Sequence, residues 1–190
     1  MKETTSLIIS APSGTGKTTI LNYLFETFQG RFSFSVSATT RKPRQGEEHG
    51  KHYYFISQQE FEEKIKNDEF LEYESVYEGL YYGTLKSEIQ RINDEGKIAV
   101  FDVDVKGGVN IKNNLKDKAL AVFLMPPSIE ELKKRLQGRN TESEETLNKR
   151  LQRAEMEISY SKHFDKIIIN DDLDLAIKEC TELVKEKFNI

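Results

Sequence analysis

One octapeptide restricts this chain more than any other part of it. Ala11-Pro12-Ser13-Gly14-Thr15-Gly16-Lys17-Thr18 follows the pattern of a phosphate-binding loop, a Gly, four residues and then Gly-Lys-Ser/Thr, with Ala11 standing where the first Gly belongs. Its flanks fit. Leu7-Ile8-Ile9-Ser10 is an apolar run of strand length, and after Lys17 the residues Ile20, Leu21, Leu24 and Phe28 recur at helical spacing. A strand that feeds a tight loop and opens a helix aims backbone N–H groups and the positive end of a helix dipole at one point. Gly14 and Gly16 let the backbone approach a polyphosphate, Lys17 adds a point charge, and Thr18 offers a hydroxyl to a magnesium ion. The loop implies a nucleoside triphosphate. It does not say what is done with it, since GTPases, motors and small-molecule kinases all use such a loop.

Further along, apolar runs at 7–10, 32–36, 98–103, 119–124 and 166–169 alternate with helical patterns at about 17–29, 85–95, 128–138, 143–160 and 173–188. This alternation predicts an α/β fold, a parallel five-stranded core sheet flanked by helices. Ser128-x-x-Glu131 and Thr141-x-x-Glu144 read as capping boxes, and Gly96 as a helix stop. The region 37–84 breaks the rhythm. It holds six of the eight tyrosines, short strand patterns at 52–56 and 70–73, and a short helix begun by Ser57-x-x-Glu60. It reads as a small inserted mixed β/α subdomain for a second substrate, and the charged helical pair at 126–156 reads as a lid. The core would then comprise about 1–36, 85–125 and 157–190.

At 190 residues, 37% hydrophobic and 32% charged, the chain has the composition of a single soluble globular domain. A net charge of −4 argues against a general nucleic-acid binder, and no apolar run reaches the length of a membrane span. The N-terminal residues, which include Glu3, do not form a signal peptide. A single cysteine rules out an internal disulfide and fits a reducing cytoplasm. Cys180 falls on the apolar stripe of the last helix, with Leu173, Ile177 and Val184, and reads as core. The sequence is compatible with a monomer and with a homo-oligomer alike.

Candidate chemistry gathers in three places. Phe101-Asp102-Val103-Asp104 ends the most apolar strand, and in open α/β sheets ligands sit at the carboxyl ends of strands. Asp102 and Asp104, two apart, point the same way, and an acid there can hold the hydration shell of magnesium beside Thr18. Ser37 to Arg44 sets Arg41 and Arg44 among hydroxyls, which suits a phosphate and equally suits a solvated basic loop. Arg135 and Arg139, four apart, with Arg150 further on, suit a lid that folds over a phosphoryl group. On helical pattern alone, surface ion pairs with the nearby Glu residues are the favoured reading. The three His residues show no metal-ligand spacing.

Taken together these segments strongly resemble the guanylate kinase family, over nearly the whole chain. The matching motifs are Ser10 to Thr18, Phe34-Ser-Val-Ser-Ala-Thr-Thr-Arg-Lys-Pro-Arg44, Gly46-Glu47, Gly50-Lys-His-Tyr-Tyr-Phe55, Phe70-Leu-Glu72, Tyr81-Tyr-Gly-Thr84, Asp102-Val-Asp104, Pro126-Pro-Ser128, Gly138-Arg139 and Asn170-Asp-Asp172. The resemblance implies transfer of the γ-phosphoryl group of ATP to GMP, with dGMP as a further candidate acceptor. It implies that Ala11, Pro12, Ser13, Gly14, Thr15, Gly16, Lys17, Thr18 and Thr19 hold ATP, with Asn170 near adenine. Ser37, Arg41, Arg44, Tyr53 and Tyr82 would hold the GMP phosphate, and Glu72, Thr84 and Asp104 would face guanine. Thr18, Asp102 and Glu47 would organise Mg2+ through water. Lys17, Arg41, Arg135, Arg139 and Arg150 would carry the catalytic charge.

The chain departs from the family pattern twice. Glu78-Gly79-Leu80 stands where Gly-Asn usually precedes Tyr-Tyr-Gly, one residue longer, and Asn140 replaces a Gly after Arg139. Two alternatives are weighed beside the kinase. One is a non-catalytic scaffold module of guanylate-kinase type, against which stand an intact Gly14, Gly16, Lys17, Thr18 and Asp102. The other is a kinase for a different phosphorylated acceptor such as a ribose phosphate, against which Glu72 and Asp104 argue.

Overall fold

The computed structural model describes residues 5–137 and 144–190. Two sheets organise the chain. Five parallel strands, β1 (Ser6–Ser10), β2 (Phe32–Phe34), β7 (Ile98–Asp102), β8 (Ala119–Met125) and β9 (Lys166–Ile169), line up in the order β2-β7-β1-β8-β9. The second sheet joins β3 (Ala38–Thr39), β4 (Tyr54–Phe55), β5 (Phe70–Tyr77) and β6 (Leu80–Leu85) in the order β4-β3-β6-β5, with parallel and antiparallel pairs mixed.

The central strands are apolar on both faces because both faces are covered. Leu7 and Ile9 of β1 pack with Ile20, Leu21 and Leu24 of α1 (Lys17–Thr27) and with Ala176, Cys180 and Val184 of α7 (Leu173–Phe188). Ile8, on the opposite face, packs with Ala99 and Phe101, with Ile92 of α3 (Lys86–Asp94) and with Ile111 of α4 (Val105–Leu115). Burial pushes the Cys180 thiol up to about 12, so it is an inert core group. The second sheet has its own small core, where Phe61 of α2 (Gln58–Lys66) stacks on Phe70 and Tyr81. Leu132 and Leu136 of α5 (Ile129–Gln137) pack with Leu147 and Ala154 of α6 (Glu144–Ser159). The Ser57 and Ser128 hydroxyls cap α2 and α5 by accepting from Glu60 N and Glu131 N, each at 3.1 Å; Thr141 lies outside the described residues.

Helix α4 and the hairpin formed by β5 and β6 are among the elements that go beyond the sequence reading. α4 carries no predicted helix, because Gly107, Gly108 and three Asn residues depress its propensity. Its glycine serves packing, since a Cβ on Gly108 would lie 2.8 Å from Ser10 Oγ and 3.4 Å from Ile8 Cγ2, so only glycine brings α4 this close to β1. The strand predicted at 70–73 runs to Tyr77 and turns through Glu78-Gly79 into β6. That two-residue turn accommodates the longer loop. Gly79 has φ +75°, and Thr40 Oγ1 donates to the Gly79 carbonyl at 2.8 Å while accepting from Tyr81 N at 2.9 Å.

Candidate active site

The phosphate loop leaves β1 at Ser10 and enters α1 through Gly16, which has φ +92° and accepts from Ile20 N at 3.1 Å. Two constraints converge on Gly16. Its backbone is left-handed, and a Cβ there would lie 2.6 Å from Asn170 Nδ2. Asn170 is buried beneath the loop, and its amide donates to the Thr15 carbonyl at 2.6 Å. The backbone carbonyl of Asn170 accepts from Arg135 Nη1 at 2.8 Å, and that of Asp171 accepts from Nη2 at 3.2 Å. Asn170, expected near adenine, thus sits as a buttress of the loop, and Arg135, expected on a phosphate, ties α5 to the turn after β9.

Parallel pairing brings Asp102 to the loop, since Ile9 lies opposite Asp102 in the β1–β7 register. Lys17 Nζ forms an ion pair with Asp102 Oδ1. Residues 11–14 and 16–19 line a cavity of about 530 Å³ with Asp102 and Asp104. Arg150 of α6 reaches the loop, donating from Nη2 to Ser13 Oγ at 2.6 Å. Arg139 and Asn140 lie outside the described residues.

A second cavity of about 700 Å³ adjoins the first and is lined by Ser37, Tyr53, Glu72, Tyr82 and Asp104, among others. Glu72 and Thr84 are cross-strand partners in β5 and β6, so Thr84 Oγ1 donates to Glu72 Oε1 at 2.8 Å. Burial pushes the Glu72 carboxyl above its ordinary range. The Thr84 hydrogen bond opposes that shift and the Asp104 charge adds to it. Glu72 Oε2 faces the start of α4, where a Cβ on Gly107 would lie 3.9 Å away. Asp104 caps α4, its Oδ1 accepting from Gly107 N at 2.9 Å.

Arg41 lies over the rings of Tyr53 and Phe55, at 5.4 and 5.6 Å from their centroids. Its two terminal nitrogens donate to the two oxygens of Glu47, each at 2.9 Å, and Arg44 N donates to Glu47 Oε2 at 2.7 Å. These bonds, the Arg41 fork first, hold the Glu47 carboxyl down to about 2. Glu47, expected at the metal with Thr18 and Asp102, is placed on Arg41. The Arg44 side chain is exposed.

Two residues of the site, and one behind it, escape sequence reasoning. Arg153 and Glu157 of α6 line both cavities, yet as an i,i+4 pair they look like any surface ion pair. Glu88 of α3 is buried at the crossing between the two sheets. It accepts from Val36 N at 3.1 Å and Tyr54 Oη at 2.9 Å, and Arg91 donates Nε and Nη2 to it at 3.1 and 2.7 Å. Its only signal in sequence is an acid on the inward side of α3, beside Ile89 and Ile92.

The guanylate kinase family model matches residues 3–187. The chain belongs to the guanylate kinase family. Members of that family are ATP:GMP phosphotransferases. A guanylate kinase of Bacteroides thetaiotaomicron is 49% identical over 96% of this chain and 89% of its own length. One of Porphyromonas gingivalis is 49% identical over 95% and 96%. The crystal structure of guanylate kinase from Anaplasma phagocytophilum superposes with a TM-score of 0.68 at 28% identity, over 98% of this chain and 88% of that one.

Proposed function

We propose that this guanylate-kinase-family chain transfers the γ-phosphoryl group of ATP, held at the Lys17 loop, to GMP held in the Glu72 cavity. The observation that carries the assignment is the shared wall of the two cavities, where Asp102, Val103 and Asp104 line both. In this reading an oxygen of the GMP phosphate bonds to the γ-phosphorus as the bond to the β–γ bridging oxygen breaks, and the bridging oxygen leaves on ADP. A phosphomonoester, with its second pKa near about 6, is largely dianionic at neutral pH, so no side chain has to remove a proton. Catalysis rests on positioning and charge.

Residues 11–19 cradle the donor phosphates, and Asn170 and Arg135 hold the cradle and its neighbouring turn in shape. Arg150 sits over the loop. Glu72 accepts the N1–H and 2-amino group of guanine, with Thr84 fixing its second oxygen and Asp104 beside it. Adenine has no proton on N1, which leaves a partly buried carboxylate facing an acceptor and disfavours AMP. Ser37, Arg41, Arg44, Tyr53 and Tyr82 take the GMP phosphate, with Glu47 orienting Arg41. Segment 37–84 is then the GMP-binding subdomain, 126–156 a lid, and the rest the core.

The donor set fits a magnesium ion. Thr18 and Asp102 present hard oxygen ligands to one cavity, and among the described residues no group of three His, Cys, Asp or Glu side chains forms a closed metal site. That suits an ion carried on nucleotide phosphates and water. Such an ion neutralises charge developing on the transferred group. A single buried cysteine supports a cytoplasmic setting. No helix is long and apolar enough to cross a membrane among the described residues.

A coupled ADP-release assay with ATP and magnesium, comparing GMP, dGMP, AMP, CMP, UMP and no acceptor, tests the reading. Release dependent on a guanine nucleotide is expected. Equal release with AMP would remove Glu72 from its role, and retained GMP binding without any release would favour a binding module.

A further inference from the structure

Helix α6 crosses from one cavity to the other, and its inward residues follow that path. Arg150 meets Ser13 of the phosphate loop, Arg153 one turn on lines both cavities, and Met156 lines the Glu72 cavity. Five residues line both cavities: Asp102, Val103, Asp104, Arg153 and Glu157. Three are carboxylates, and Arg153 is the one cation. Lys17 and Arg150 line the first cavity alone, and Lys106 the second alone. A phosphoryl group in transit between the two nucleotides must pass this shared wall. Asp102 is paired with Lys17, but Asp104 and Glu157 would repel it without a cation placed there.

Arg153 is also oriented. Glu157, whose side chain is 8% exposed, accepts from Arg153 Nε at 2.9 Å, while the Arg153 side chain is 64% exposed. Among the described residues, Nη1 and Nη2 make no hydrogen bond. A guanidinium anchored through Nε keeps its Nη1–Nη2 edge for a second acceptor, and that edge matches two oxygens of a phosphoryl group. The Glu157 hydrogen bond, with the Asp104 and Glu74 charges, raises the Arg153 pKa, so Arg153 stays a cation throughout the working range.

We propose that Arg153 is a further catalytic residue, which contacts the phosphoryl group in transit between the cavities, and that Glu157 is the positioning residue that aims it. The proposal rests on the kinase reading above. In the step itself the acceptor phosphate oxygen forms the new bond to phosphorus and the bridging oxygen takes the electron pair of the broken bond onto ADP. Arg153 forms and breaks no covalent bond. It gives two N–H donors to oxygens whose charge is redistributed in the transition state.

Steady-state and single-turnover kinetics of the full chain test this, with Arg153→Gln, Arg153→Lys and the double variant Arg153→Gln/Glu157→Gln. Arg153→Gln is expected to lower kcat and the single-turnover rate by about 10- to 100-fold, below the full effect of a lone arginine finger because Arg150 and Lys17 remain. KM for ATP and GMP is expected to stay within about threefold, as for an interaction made only in the transition state. Arg153→Lys should recover only part of the rate, because the fork is lost. The double variant, which leaves no buried carboxylate unpaired, should remain as slow as Arg153→Gln. Three results would overturn the proposal: kcat of Arg153→Gln within twofold of the parent, a change confined to KM, or recovery of the rate in the double variant. A parent protein without GMP-dependent ADP release would refute the kinase reading instead, and this proposal with it.

Discussion

Replacing Glu72 by Gln separates the cost of a specificity group from its use. In the free protein Oε1 accepts from Thr84 Oγ1 at 2.8 Å and Oε2 faces the mouth of α4. Guanine needs two acceptor positions on this carboxylate, one for N1–H and one for the 2-amino group. A Gln side chain has one oxygen. If that oxygen stays on Thr84, the amide turns two donors toward guanine donors. The amide flips instead, because the Thr84 hydroxyl can also accept. One charge-assisted hydrogen bond is then lost, about 1.5–3 kcal/mol, which is roughly 10- to 150-fold in kcat/KM for GMP. The effect on the fold has the opposite sign. The Glu72 carboxyl is raised by burial, so its folded value lies above its unfolded one. The stability linked to such a group is full at low pH and is lost as pH rises through the folded value. At neutral pH the ionised side chain is a cost to the fold that neutral Gln removes. Glu72→Gln is therefore expected to unfold no earlier than the parent at neutral pH, and its advantage should shrink as pH is lowered. Kinetics with GMP and AMP, alongside thermal unfolding at several pH values, read both effects. A change in kcat/KM for GMP of less than threefold would refute the guanine contact, and a melting temperature that falls at neutral pH would refute the electrostatic argument.

Lys17→Ala is expected to abolish turnover while GMP binding, measured by calorimetry, stays within a few-fold, because Lys17 lines the loop cavity and not the Glu72 cavity. Gly16→Ala should lose ATP binding and destabilise the protein by at least about 1 kcal/mol, from the left-handed backbone and the 2.6 Å approach to Asn170 Nδ2; nucleotide titration and denaturant unfolding would show it. Glu88→Ala strands the Val36 N–H and the Tyr54 hydroxyl, and should cost about 2–4 kcal/mol, discounted because Arg91 is 42% exposed, or roughly 5–15 °C in Tm. Burial alone would raise the Glu88 carboxyl, but Arg91, Val36 N–H and Tyr54 outweigh it and hold it below its ordinary range. Its stabilisation is present above that range and is lost as pH falls through the lowered value. Acid unfolding of Glu88→Ala should consequently show a shallower fall than that of the parent, and equal acid limbs would contradict the assignment.

The sequence by itself determined the elements whose signal is local. Leu7–Ser10, the loop and the stripe Ile20, Leu21 and Leu24 are contiguous, and the apolar runs of the three central strands β1, β7 and β8 are buried on both faces, so pattern alone identifies strand, loop and helix. The family motifs likewise brought out Glu72, Thr84, Asp102 and Asp104 as residues to watch. Helix α4 was hidden because its glycines answer to a contact with Ser10 and Ile8, far away in the chain, and helix propensity does not register such contacts. β6 escaped notice because Leu80–Leu85 becomes a strand through its pairing with β3 and β5. Tertiary structure alone decided partnership. It set Glu47 on Arg41 and Asn170 beneath Thr15, ran Arg135 to two backbone carbonyls, and gathered Val36, Tyr54 and Arg91 around Glu88. It also put the Arg153–Glu157 pair on the wall between two cavities. A carboxylate or guanidinium looks the same in sequence whether it meets water, a backbone group or a nucleotide. What distinguishes them is desolvation and the charges brought within a few ångströms, and both exist only once distant segments have packed.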